Sequence, residues 1–217
     1  MKKYITFTCI VACLFFCAAQ SKASSVCDGV AGNLVANCGF ETGDFTSWTL
    51  SGNDVPGEEG NLYGVEGTDP VDSIIPNSGS YQAFFATLDS NATKLSQDIT
   101  TTAGDQYTIT FWVAQDTASS SEYGNELLAS FGGTSLVDDS DVVVEGYTEY
   151  TYNVGPVSGS SNTLELTFGN GLGEFLLDDV SVVDNGPVVT PEPDSLLLFG
   201  TGLLALVGVA RRRFSSR

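Results

Sequence analysis

Between Val26 and Asp184 no stretch of this 217-residue chain carries apolar residues at helical spacing. Short runs of β-branched and aromatic residues alternate with clusters of Gly, Asn, Asp and Ser, the punctuation of an all-β sandwich. The clearest run is Tyr107–Val113. Period-two alternation puts Tyr107, Ile109, Phe111 and Val113 on one face and Thr108, Thr110 and Trp112 on the other. In the same way Leu164, Leu166 and Phe168 point one way, with Glu165 and Thr167 opposite. The pattern predicts strands near Asn33–Ala36, Ser47–Ser51, Ser80–Leu88, Thr93–Thr100, Gln106–Gln115, Glu126–Phe131, Asp141–Val144, Tyr147–Val154, Thr163–Phe168 and Glu174–Val183. Asn53–Ser78, rich in Gly and acids, reads as a long surface loop, and Thr117–Gly124 as a second.

Both ends break this pattern. Lys2 and Lys3, the apolar run Tyr4–Ala19 and the small-x-small triplet Ser21-Lys22-Ala23 have the layout of an export signal, which signal peptidase would cut after Ala23. At the other end an apolar segment of 15 residues, Leu196–Ala210, is followed by Arg211, Arg212 and Arg213. As a helix it would rise roughly 22 Å, against a hydrocarbon core of about 30 Å. It is short for a permanent span, although the arginines can snorkel to the headgroups, and by the positive-inside bias they stay cytoplasmic. An ordinary C-terminal anchor is one reading.

The other rests on the whole arrangement of Pro191-Glu192-Pro193, apolar span and arginine cluster. In position, order and spacing it resembles the PEP-CTERM sorting signal of Gram-negative bacteria. That resemblance implies export across the inner membrane, a transient membrane stay through residues 196–210, and processing by exosortase near Pro191–Pro193. Release to the cell surface or the extracellular space follows. The expected organisation is a signal peptide over 1–23, a β-sandwich domain over 24–184, a linker over 185–190 and the sorting signal over 191–217.

Charge narrows the partners. From Ser24 to Thr190 the only basic residue is Lys94, set against 25 Asp and Glu. Such a surface repels phosphate backbones, so nucleic acid is excluded, and cations are favoured. Once the signal peptide is gone, two cysteines remain, Cys27 and Cys38. In an oxidising compartment they are expected to form a disulfide that ties down the leading arm, two free buried thiols being the other reading.

Four local motifs then combine. Asn33–Trp48, with its Asn37-Cys38-Gly39-Phe40-Glu41 centre, Ser78–Tyr81 with Phe84-Phe85, Tyr107–Val113, and the closing Leu177-Asp178-Asp179-Val180-Ser181-Val182 resemble galactose-binding-like jelly-roll modules. These are related in fold to carbohydrate-binding modules. The resemblance covers nearly all of residues 33–183 and implies a structural calcium joining the first and last strands. Its side-chain ligands would be Glu41 and one of Asp178 or Asp179, with backbone carbonyls completing the shell. Solvated or turn-capping carboxylates are the competing reading of the same residues.

The chain has no histidine, which removes Ser-His-Asp and Cys-His catalysis and His-based zinc or haem sites. Carboxylate pairs suited to glycoside hydrolysis are unavoidable among so many acids, so no enzyme activity is expected. For a glycan site, sugar rings stack on aromatic faces while amides and carboxylates bond hydroxyls. Trp112 is the candidate platform, with Tyr123, Asn125 and Glu126 beside it; the alternative packs Trp112 under a loop such as Asn53–Ser78. Trp48 reads as core. The sequence thus points to a non-catalytic exported protein that binds or organises exopolysaccharide. A biofilm adhesion protein that contacts only other proteins is the alternative, and a glycan-active enzyme the weaker one.

Overall fold

The computed structural model describes residues 24–52, 63–69, 73–86, 92–115, 125–140, 142, 146–170, 173–188 and 193–214. The export signal with Ala23, the motif residues Pro191 and Glu192, and Tyr123 lie outside the described residues.

Among the described residues ten strands follow a short 3-10 turn at Val26–Gly29: β1 (Thr49–Gly52), β2 (Tyr63–Glu66), β3 (Gln82–Phe85), β4 (Thr93–Thr100), β5 (Asp105–Gln115), β6 (Asn125–Phe131), β7 (Thr134–Ser140), β8 (Thr148–Val154), β9 (Ser161–Asn170) and β10 (Phe175–Pro187). They form two antiparallel five-stranded sheets, ordered β1-β4-β9-β6-β7 and β2-β3-β10-β5-β8. The inward faces meet in one core, as the alternation requires: Tyr107, Ile109, Phe111 and Val113 of β5 are fully buried against Leu164, Leu166 and Phe168 of β9 and their neighbours. Phe85 of one sheet stacks on Phe168 of the other, ring centroids 4.3 Å apart and 8° from parallel. Trp48 is in this core, its ring on Phe40 and its Nε1 donating to the Asn37 carbonyl.

The structure departs from the sequence expectation at four places. Asn33–Ala36 makes one isolated bridge, Asn33 to Val183, because Asn37 turns the chain into the left-handed region directly afterwards. Inside the loop assigned to Asn53–Ser78 lies β2, where Phe84 covers the bare backbone of Gly64. Of the strand expected at Asp141–Val144 all but the buried Val142 lies outside the described residues; the departure here is the edge strand before it, β7, absent from the expectation and paired to β6 through a two-residue hairpin at Gly132-Gly133, both at positive φ. Finally, β10 continues through Asn185 to Pro187, pairing with Asp105 and Gln106, so these residues belong to the sheet rather than to a linker.

Beyond the sandwich, Pro193–Phe214 is a helix, α1. Its apolar residues Leu198, Phe199, Leu204, Leu206 and Val207 are exposed. Among the described residues no helix is long and apolar enough to cross a membrane.

Candidate glycan groove and the carboxylates beside it

The site begins with an irregularity in β10. The register against β5 shifts between Asp178 and Ser181, and Asp179 sits at φ 49°. A bulge of this kind re-aims side chains. Here it brings two consecutive carboxylates to Ser78: the Ser78 amide donates to Asp178 Oδ2 (3.1 Å) and its hydroxyl to both oxygens of Asp179 (2.8 and 2.7 Å). Asp179 also accepts from the Cys27 amide (3.0 Å) and from Asn77 Nδ2 (2.8 Å). It is therefore saturated with donors, and it ties the leading arm and the 77–81 turn to the last strand.

The arm is closed by the Cys27–Cys38 disulfide. Next to it Glu41 Oε1 accepts from the amides of Ser80 and Tyr81 (2.8 and 3.1 Å). Gly79, at φ 68°, fits against that carboxylate so closely that a Cβ would collide with it. Asp178 is wholly buried, and its carboxyl is pushed up to about 8. Desolvation is the main cause and the Asp179 charge the next; the amides of Ser78 and Asp179 pull the other way, and Glu41 adds to the rise. Burial, followed by the charges of Asp178, Asp179 and Glu66, likewise raises the phenol of Tyr147, whose hydroxyl bonds Gln82 Oε1 (2.8 Å).

Of the carboxylates expected to hold a cation, Asp178 is buried and feels the Glu41 charge only as a minor influence, and Glu41 Oε2 takes no donor among the described residues. Glu41, Asp178 and Asp179 do not form one of the described groups whose ligand atoms all lie within 4.8 Å of one another. Asp179, with its donors in place, acts as the clamp between arm and strand. Sequence reasoning missed the convergence of carboxylates that does occur, at Glu66, Asp69 and Glu174, one oxygen of each lying within 4.8 Å of the others. No spacing along the chain announces it, since the three residues meet only through folding.

The other half of the site is the outward face of β5. Thr108, Thr110 and Trp112 line a groove of about 410 Å³, floored by Ser181, Val183 and Asn185 of β10, with Glu149 of β8 on one side and Val26, Cys27 and Val30 of the arm on the other. That volume lies in the range of small-ligand sites. Trp112 is half-buried, and its indole N–H has no hydrogen-bond partner among the described residues. Thr108 Oγ1 donates to Asn153 (2.8 Å) and accepts from Asn185 Nδ2 (2.8 Å), while Thr110 and Thr151 share a 3.1 Å bond.

The residues named with Trp112 do not gather around it. Asn125 and Glu126 belong to β6, in the other sheet. There Asn125 turns inward, donating to the Val142 carbonyl, and Glu126 points out to solvent. The groove's companions to Trp112 come instead from β8, β10 and the arm, which only strand register could supply. Of the sorting residues, Pro193 opens α1, and Arg211, Arg212 and Arg213 lie in its last turns.

Residues 189–213 match the PEP-CTERM protein-sorting motif. No curated protein matches the chain. Among solved structures, the carbohydrate-binding module TmCBM61, determined with β-1,4-galactotriose, aligns at TM-score 0.51 and 21% identity over 69% of this chain and 97% of its own. The xylan-binding CBM22-1 domain of Paenibacillus barcinonensis Xyn10C aligns at TM-score 0.44 and 16% identity, over 67% and 90%. A family 16 carbohydrate-binding module aligns at 0.45 and 13%, over 70% and 99%. The chain is a jelly-roll sandwich with carbohydrate-binding modules among its structural neighbours, and it ends in a PEP-CTERM motif, the mark of an exported protein.

Proposed function

We propose that this protein is exported, trimmed by exosortase at its C-terminal motif and left at the surface or in the extracellular matrix of a Gram-negative cell. There its sandwich binds exopolysaccharide without turning it over. The observation that carries the reading is Trp112, held half-open in a groove on the outer face of β5 among hydroxyl, amide and carboxylate groups. An aromatic face bordered by such groups is the usual composition of a sugar subsite. The fold shared with TmCBM61, which was solved holding a galactotriose, supports the assignment. A calcium ion held by Glu41 and Asp178 would lock the 77–81 turn to β10 and relieve the repulsion between carboxylates, keeping the groove's edge in place.

A glycan array probed with the full chain tests this reading. Binding to at least one polysaccharide class, lost in Trp112→Ala with the melting transition retained, is the expected outcome. Silence across the array, or binding indifferent to Trp112, contradicts it. Sorting is tested separately: deleting Pro191–Pro193 is expected to leave an unprocessed, heavier protein in the cell envelope. An unchanged mature mass would leave α1 an ordinary anchor.

A further inference from the structure

Resting on the glycan reading above, we infer that the groove is matched to a cationic glycan, one carrying free amino groups, in preference to neutral or uronic-acid chains. Glu149 is directly opposite Trp112 in the β5–β8 pair, on the same outward face. It is exposed, with no hydrogen bond or ion pair among the described residues. Several of the groove's neutral polar groups are in a different state: Thr108, Asn185 and Asn153 bond one another, as do Thr110 and Thr151. Asp179 takes its donors from Ser78, Cys27 and Asn77, so the charged acceptor that no donor among the described residues occupies is the Glu149 carboxylate, beside an indole.

Among the described residues the other charged one in the lining, Asp179, is negative too, and neither Lys nor Arg is present. Lys94, the sole base between Ser24 and Thr190, is on the opposite sheet and paired with Glu165 at 2.9 Å. A sugar stacked on Trp112 with an ammonium substituent would meet the negative face of the ring and the Glu149 carboxylate together. A uronate in the same place would meet two like charges with no counter-ion from the protein. The cation–aromatic contact and an ion pair to the exposed Glu149 together amount to at most about a tenfold preference for the amine.

The test is calorimetry on the full chain, in mildly acidic buffer of low ionic strength. Three β-1,4-linked oligosaccharides of equal length serve as probes: glucosamine, N-acetylglucosamine and glucuronate. The amine form is expected to bind up to about tenfold tighter than the acetylated form, and the uronate weakest. Glu149→Gln should cut the amine's advantage to about twofold, and added salt should narrow it as well. If the acetylated form binds as tightly as the amine while Trp112→Ala abolishes both, the charge inference falls and the glycan groove survives. Uronate binding strongest, with or without calcium, also overturns the inference. Absence of binding by all three probes overturns this inference, while the glycan reading stands or falls with the array.

Discussion

Trp112 and Glu149 are cross-strand partners on the outward face of β5 and β8, an aromatic ring and a carboxylate without an ion pair among the described residues, on one wall of one groove. The opposite wall is the leading arm, where Val26, Cys27 and Val30 line the groove; the Cys27–Cys38 disulfide and the Cys27 amide's bond to Asp179 both hold it in place.

The disulfide should therefore act on both stability and binding. It closes a loop of sequence separation 11, and bridges of this kind contribute about 2–4 kcal/mol. The Cys27→Ser/Cys38→Ser variant is expected to melt at least ~5 °C lower and to bind glycan several-fold more weakly. Calorimetry and titration of the folded variant check this. Full affinity after loss of the bridge would detach the arm from the groove.

Asp178 sets a pH dependence. With calcium chelated, its carboxyl is pushed up to about 8 in the folded state, against about 4 in the unfolded chain. The folded protein thus holds a proton that the unfolded chain releases. The stability linked to it is complete below about pH 4 and is lost as pH rises through about 8. Asp178→Asn should flatten this dependence and raise the midpoint by ~3 °C at the alkaline end in chelator. In calcium the same substitution should lower it. A loss of equal size in both conditions would show that Asp178 matters only as a hydrogen-bond acceptor.

Gly79 and Gly104 separate strain from collision. Both have positive φ, 68° and 94°, but a Cβ at Gly79 strikes the Glu41 carboxylate while one at Gly104 meets nothing within 4 Å. Gly104→Ala is expected to cost about 1 kcal/mol from backbone strain alone. Gly79→Ala should cost roughly 2–3 kcal/mol and also remove any calcium-dependent shift in melting. Equal costs, with the calcium response intact, would show that Gly79 does not shape a cation site.

Between the sheets, Phe85→Ala should cost about 3–5 kcal/mol, since it removes the partner of Phe168 from a fully buried stack. Urea melts followed by intrinsic fluorescence would read this out. A cost below ~1 kcal/mol would mean that the two sheets close over the void.

The residues show what the sequence made legible. Alternation along Tyr107–Val113 separates core from groove face correctly, because the side-chain period of a strand is two whatever its neighbours are. The same reasoning could not find Glu149 or Asn185, which join Trp112 only through the registers of β8 and β10. β7 was missed for a different reason. As an edge strand it buries little beyond Val137, so it lacks alternation, and the Gly132-Gly133 hairpin signal was the clue available. The bulge at Asp179 is likewise invisible in Asp178-Asp179 as text. It shows only where Val180 returns to the core and leaves both carboxylates at Ser78. The C-terminal motif needed no folding to be read, since its order and spacing are linear.

The most direct measurement of the central claim is the affinity of the full chain for its best array ligand before and after Trp112→Ala, by calorimetry at matched pH and calcium. A stacking platform of this kind is worth about 1–2 kcal/mol, so a loss of roughly tenfold or more is predicted, with the melting midpoint within ~2 °C of the parent. An affinity unchanged within twofold, in a variant that folds normally, would contradict the groove as the place where this protein holds glycan.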